Sequence, residues 1–111
     1  MDKLKQYQDI IKEVLTEYAA IPYAKFDLKS ELIINENANR YLIITMGWEG
    51  DVRVHGCVIH LDIIDDKIWI QRDGTEDGIA DDLVAAGIPK TDIVLAFHHP
   101  KLRPYTEYAV S

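Results

Sequence analysis

The 111-residue sequence predicts an α+β fold: an N-terminal helix, an antiparallel four-stranded meander, a second helix and a final strand. Three observations carry that reading. Residues 2–19 place Leu4, Tyr7, Ile11, Val14 and Tyr18 at alternating helical spacings, the period of a helix with one apolar stripe. Residues 47–71, which hold both tryptophans and the only cysteine, alternate apolar and polar side chains as strands with one buried face do. Gly87, Ile88 and Pro89 then close a short apolar run with a helix stop signal.

In the first helix, Ile10 and Leu15 widen the stripe, and Asp2 is positioned to cap it. Pro22 biases Ile21 away from helical geometry, so the helix is expected to end near Ala19 or Ala20. A domain of this length needs a helix over its apolar sheet face, so the stripe is expected to pack there and not to form a partner seam. Residues 22–29 have no periodicity and read as a connection. Residues 32–35 and 40–46 read as a hairpin around Glu36, Asn37, Ala38 and Asn39, since asparagine tolerates left-handed backbone. Residues 47–51, with Gly47 and Gly50, are the expected next turn.

From Val52 a long strand places Val54, Val58, His60 and Asp62 on one parity and His55, Cys57, Ile59, Leu61 and Ile63 on the other. The second parity is the expected core face, which would bury Cys57. Asp65 and Asp66 make a tight hairpin turn, and Lys67 begins a strand with Ile68 and Ile70 on one side and Trp69 on the other. Thr75 or Asp73 can cap a helix carrying Ile79, Ala80, Leu83 and Val84, with Gly87 in the left-handed position after its last turn. Residues 91–97 read as a buried strand whose neighbour in the sheet the sequence does not specify. Tyr105, Tyr108 and Val110 in the closing segment are expected to pack back onto the body.

The composition fits one domain, residues 1–111, because a chain of this size buries roughly two thirds of its unfolded surface. No apolar run approaches the roughly 20 residues that span a bilayer, and the charged start leaves no room for a signal peptide. A lone Cys57 permits neither an internal disulfide nor a multi-cysteine metal site, and the expected compartment is the cytoplasm. With 19 acidic against 12 basic residues the net charge is −7, which repels polyanions and disfavours direct DNA binding. Lys101 with Arg103 can still form a small basic edge.

Chemistry has no convincing home. His60 and Asp62 share a strand face and could supply two metal ligands or an oriented base, but two residues make a weak site, and His55 would need a bulge to join them. Asp65, Asp66 and Lys67 have the spacing of a nuclease carboxylate–lysine edge, yet fall in a turn. The acidic run 73–77 lacks the glutamate that completes a calcium loop, and neither Gly47 nor Gly50 precedes a helix as a phosphate loop requires. No catalytic, cofactor-binding or metal-ligating residue is therefore assigned. The more credible functional surface is the exposed parity of the hairpin. Trp48, Arg53, Trp69 and Arg72 cluster around it, and tryptophan and arginine dominate interface hot spots. The alternative is that both tryptophans anchor the core and both arginines pair with nearby carboxylates.

Taken in order, GWEGDVRVHGC, His60-Leu61-Asp62-Ile63, KIWIQRDGTEDGIADDL, AAGIPKTDIVLAF and HHPKLRPYTEYA resemble the XisI-like family of fdxN-element excision controlling factors over nearly the whole chain. Many family members carry Asp-Gly or Asn-Gly where this chain has Asp65-Asp66, a change of turn strain. They tend to have a single histidine after the Phe97 position, so His98-His99 does not mark a ligand pair. The resemblance implies a non-enzymatic role in developmentally controlled excision of a DNA element in cyanobacteria, beside a site-specific recombinase and an XisH-like companion of nuclease-type fold. It carries over no catalytic residue and no cofactor. Three functions follow as expectations: a regulatory subunit of the XisH-like protein or the recombinase, a small metal-dependent enzyme using His60 and Asp62, and a direct DNA-binding excision factor. Open sheet edges would also allow a homo-oligomer.

Overall fold

The computed structural model describes residues 2–22 and 27–111. Helix α1 (Lys3–Ala19) begins where expected, with the Asp2 side chain accepting the Leu4 N–H at 3.1 Å. Its stripe turns Tyr7, Ile11 and Leu15 into the core, flanked by Leu4, Ile10, Val14 and Tyr18.

Strand β1 (Asp27–Asn35) is longer than the expected 32–35. Of the connection expected at 22–29, residues 23–26 lie outside the described residues, and 27–29 already pair with β2. The inward positions are Leu28, Ser30 and Leu32, and the Ser30 hydroxyl pairs with that of Thr45 at 3.0 Å. A polar residue at an inward position erases the alternation that would have revealed the strand.

Strand β2 (Arg40–Glu49) takes in residues 47–49, the first three of the turn expected at 47–51. Gly47 is not a turn residue: a Cβ there would lie 1.9 Å from the Asp27 carbonyl oxygen, so the position admits β1 only as glycine. The turn is Gly50-Asp51 alone, with Gly50 at φ +63°. Strand β3 (Val52–Ile64) and strand β4 (Lys67–Asp73) complete the meander. The Asp65-Asp66 turn holds both residues at positive φ, 51° and 62°.

Helix α2 (Ile79–Ala85) starts at Gly78, so neither Asp73 nor Thr75 is its cap residue. Both serve it from a distance, because Asp73 Oδ2 accepts the Ile79 N–H at 2.7 Å and Thr75 Oγ1 accepts the Gly78 N–H at 3.0 Å. Its end follows the sequence signal: Gly87 at φ +116°, its N–H on the Val84 carbonyl, and the Ile88 N–H on the Leu83 carbonyl.

Strand β5 (Ile93–Leu95) is shorter than the expected 91–97 and docks parallel to β4, giving a mixed five-stranded sheet in the order β1-β2-β3-β4-β5. Lys90–Asp92 form a 3₁₀ turn before it, and beyond Leu95 the backbone turns, leaving Phe97 46% exposed. In the closing segment only Tyr108 packs on the core; Tyr105 is 87% exposed and Val110 half exposed, against expectation. Ala109 instead bridges Val94 through the backbone, which places the segment beside β5.

Both helices lie on one side of the sheet, and the core between them joins Ile43, Ile59, Leu61, Ile68 and Ile70 to the helical Ile11, Leu15, Ile79 and Leu83. The Tyr7 phenol donates to Asp92 Oδ2, and Lys3 Nζ lies 2.9 Å from the same oxygen, tying the first turn of α1 to the entry of β5. No helix of the described residues is long and apolar enough to cross a membrane.

Two stability changes are expected. Replacing Asp66 by glycine removes a left-handed side-chain penalty and should raise the urea midpoint, by about 0.5–1 kcal/mol of stability. Burial pushes the Asp92 carboxyl up, but the hydrogen bonds from Lys3 and Tyr7 and the Lys3 charge outweigh it and hold the group below the ordinary aspartate range. A depressed folded value means stability that is present above the unfolded value, about 3.9, and lost as pH falls through the folded one. Asp92→Asn should therefore cost about 1 kcal/mol at neutral pH, a difference that fades in urea titrations below that window.

Candidate interaction face

The side of the sheet away from the helices is set by two bulges. Ile43 faces Ile59, yet Ile44 faces Cys57, so Val58 is the extra residue in β3. Likewise His60 faces Arg72 and Leu61 faces Ile70, which leaves Gln71 extra in β4. Facing residues of an antiparallel pair project to the same side. The pairs Ile44–Cys57, Met46–His55 and Trp48–Arg53 therefore lie opposite the core pair Ile43–Ile59, on the same side as Leu42–His60 and Arg40–Asp62. This corrects the expected parity: Cys57 and His55 do not follow Ile59, Leu61 and Ile63 into the core but join His60 and Asp62 on the uncovered face.

Trp48 on that face is 46% exposed, while Trp69, paired with Asp62, is half-buried. The Arg53 guanidinium stacks over Trp48 at 5.3 Å, and Arg103 stacks over Trp69 at 5.5 Å. Arg103 is fixed from behind by the carbonyls of His98, Ala96 and Val110, so it does not form a free basic edge with Lys101. Arg72 Nε donates to the Cys57 carbonyl at 2.7 Å. Every arginine of the sequence, Arg40, Arg53, Arg72 and Arg103, thus lies on one face with both tryptophans. Neither tryptophan is a core anchor. Arg40 had no mark in the sequence and Arg103 only that of a basic edge with Lys101, since the strand register and the returning segment are what bring them here.

Among the described residues, no carboxylate lies within ion-pair distance of Arg53, Arg72 or Arg103. Arg40 is the exception, with Nε 2.9 Å from Asp62 Oδ1. Asp62 is only 5% exposed, and its carboxylate also receives His60 Nε2 at 3.2 Å and Gln71 Nε2 at 3.4 Å. A carboxylate already held by a guanidinium is a poor cation ligand, because the fixed positive charge opposes a metal. No cluster of three or more His, Cys, Asp or Glu side chains able to hold a metal occurs among the described residues. Cys57 points its Sγ at the Ile59 carbonyl at 3.2 Å, and burial pushes its thiol up despite the nearby Arg72 charge. Asp65 and Asp66 sit in the turn before Lys67, and His99 Nδ1 accepts the Lys101 N–H within a turn, so neither set builds a catalytic edge.

An acidic cluster lies on the other side. A groove between α1 and α2 is lined by Glu13, Glu17 and Asp82, with Glu76 and Asp77 beside its mouth. The net charge of −7 therefore does not describe the uncovered face.

Residues 1–110 match the family model described as XisI protein. The crystal structure of a XisI-like protein from Anabaena variabilis is similar to this chain at 41% identity and a TM-score of 0.87, covering 97% of this chain and 99% of that one. A second crystal structure from Anabaena variabilis, of the fdxN element excision controlling factor XisI, is 40% identical with a TM-score of 0.80, covering 99% and 100%. No curated protein matches the chain.

Because Asp62 gathers three donors in a nearly closed spot, Asp62→Ala should lower stability by about 1–2 kcal/mol, moderated by the freedom of the half-exposed Arg40 to turn to water. Urea unfolding measures the loss. Arg40→Ala alone should cost less than the Asp62 change if the carboxylate is the hub.

Proposed function

Because the chain belongs to the XisI protein family, we propose that it is a non-enzymatic accessory or controlling factor for site-specific excision of a DNA element, acting by holding a protein partner on its uncovered sheet face. The observation that carries this reading is the gathering of both tryptophans and every arginine on the one face no helix covers. Stacked arginine–tryptophan pairs around an apolar floor of Leu42, Ile44 and Met46 have the make-up of a protein-binding surface. The apolar floor and the exposed tryptophan favour a protein ligand over duplex DNA, most of whose contacts go to phosphates.

The partner we assign is the XisH-like protein of nuclease-type fold, or the recombinase it accompanies. The enzyme reading through His60 and Asp62 gains nothing from a carboxylate engaged by Arg40. Co-expression with the XisH-like protein, followed by size-exclusion chromatography with light scattering, should yield a mixed complex. Trp48→Ala should weaken that complex by about tenfold or more, as hot-spot truncations do, without shifting the thermal midpoint of the isolated chain. Independent elution of the two proteins would refute the assignment, and nuclease assays on the complex would give the sign of control.

A further inference from the structure

We infer that the segment this face accepts is acidic, presenting carboxylates to Arg53 and Arg72 and apolar side chains to the floor between them; the inference rests on the partner-holding role proposed above. The whole-chain charge points to a basic partner, but contact energies are decided where the surfaces meet. There the balance is reversed. Three carboxylates lie on the uncovered strand positions, and two are engaged, Asp62 by Arg40 and Glu31 by Lys29 at 3.3 Å, while Asp27, facing Trp48, is not. Asp27 borders the same shallow pocket as Arg53 without reaching ion-pair distance. Arg53 and Arg72 are left without a carboxylate among the described residues.

Both guanidiniums are also held in place before any ligand arrives. Arg53 lies over the Trp48 ring, with one Nη at 3.5 Å from the Gly47 carbonyl, and Arg72 is pinned by its Nε to the Cys57 carbonyl. Pinning a guanidinium by its face or its Nε leaves terminal N–H groups in a fixed fork, the arrangement that receives a carboxylate in bidentate fashion at small entropic cost. Between them Ile44 and Met46 are only partly covered, and a segment that sets acidic and apolar side chains on the same face satisfies both features. Nucleic acid is the competing polyanion. It would present phosphates or bases to a floor of Ile44 and Met46 that aliphatic side chains fill better, so a protein segment is the better fit.

Both tryptophans of the chain lie on this face, so intrinsic fluorescence reads it without a label. The full chain would be titrated at low salt with a short peptide of leucines flanked on both sides by pairs of glutamates, its lysine-for-glutamate counterpart, and a single-stranded oligonucleotide of charge equal to that of the glutamate peptide. The inference predicts a saturable emission change with the glutamate peptide at an affinity at least about tenfold above either other probe, weakened at least about tenfold by Arg53→Glu with Arg72→Glu. No response to the glutamate peptide, a preference for the lysine peptide, or tighter binding of the oligonucleotide would overturn it. Should the double reversal fail to fold, the comparison of the three probes on the unaltered chain still decides. The same double reversal in the co-expression experiment separates the two proposals. A complex that survives it removes the acidic segment but keeps the partner-holding role, whereas no complex with the unaltered chain removes that role whatever the peptides do.

Discussion

The extra residue at Val58 is the constraint on which the rest of the structure depends. Without it, strict alternation along β3 would carry Cys57, His55 and Arg53 to the helical side, away from Trp48. With it, one strand does two jobs. Its distal half feeds Ile59, Leu61 and Ile63 into the core, and its proximal half presents Cys57, His55 and Arg53 to the uncovered side. The compensating irregularity at Gln71 does the same for β4, placing Arg72 beside His60 and bringing the Gln71 amide onto Asp62. Bulges at such positions redirect side chains, and here the redirected ones are those with the chemistry of recognition.

A second consequence is the separation of charge. The helical side carries Glu13, Glu17 and Asp82 around its groove, while the arginines all face the other way. Long-range steering follows the whole field and short-range fit follows the local surface, so the two can favour different features of one partner. A partner with a generally basic body and an acidic docking segment would satisfy both.

Legibility in the sequence tracked how directly each element reports burial. The stripe of α1 was plain because Tyr7, Ile11 and Leu15 are its buried residues, and the stop at Gly87 was plain because the left-handed position and the Ile88 contact are local. Strand β1 was half hidden by Ser30, whose inward hydroxyl is satisfied by Thr45 across the pair. The docking of β5 beside β4 was not legible, because three residues carry no register information. The candidate face was legible in part. Trp48, Arg53, Trp69 and Arg72 could be named from composition, but apolar residues on both parities around Val58 concealed the bulge, and with it the side to which each points. Arg40 could not be named, and Arg103 only as a basic edge with Lys101, since pairing with Asp62 and stacking on Trp69 are long-range facts.

The central claim is that the sheet face, and not the helical face, meets the partner, and hydroxyl-radical footprinting of the mixed complex tests it most directly. The most oxidisable side chains of the uncovered face are Trp48, Met46, Cys57 and Trp69, whereas Tyr18 lines the groove between the helices. The account predicts that Trp48, Met46 and Trp69 lose reactivity on complex formation while Tyr18 keeps it. Protection of Tyr18 with unchanged oxidation of Trp48 and Met46 would place the partner on the acidic helical side and contradict the account.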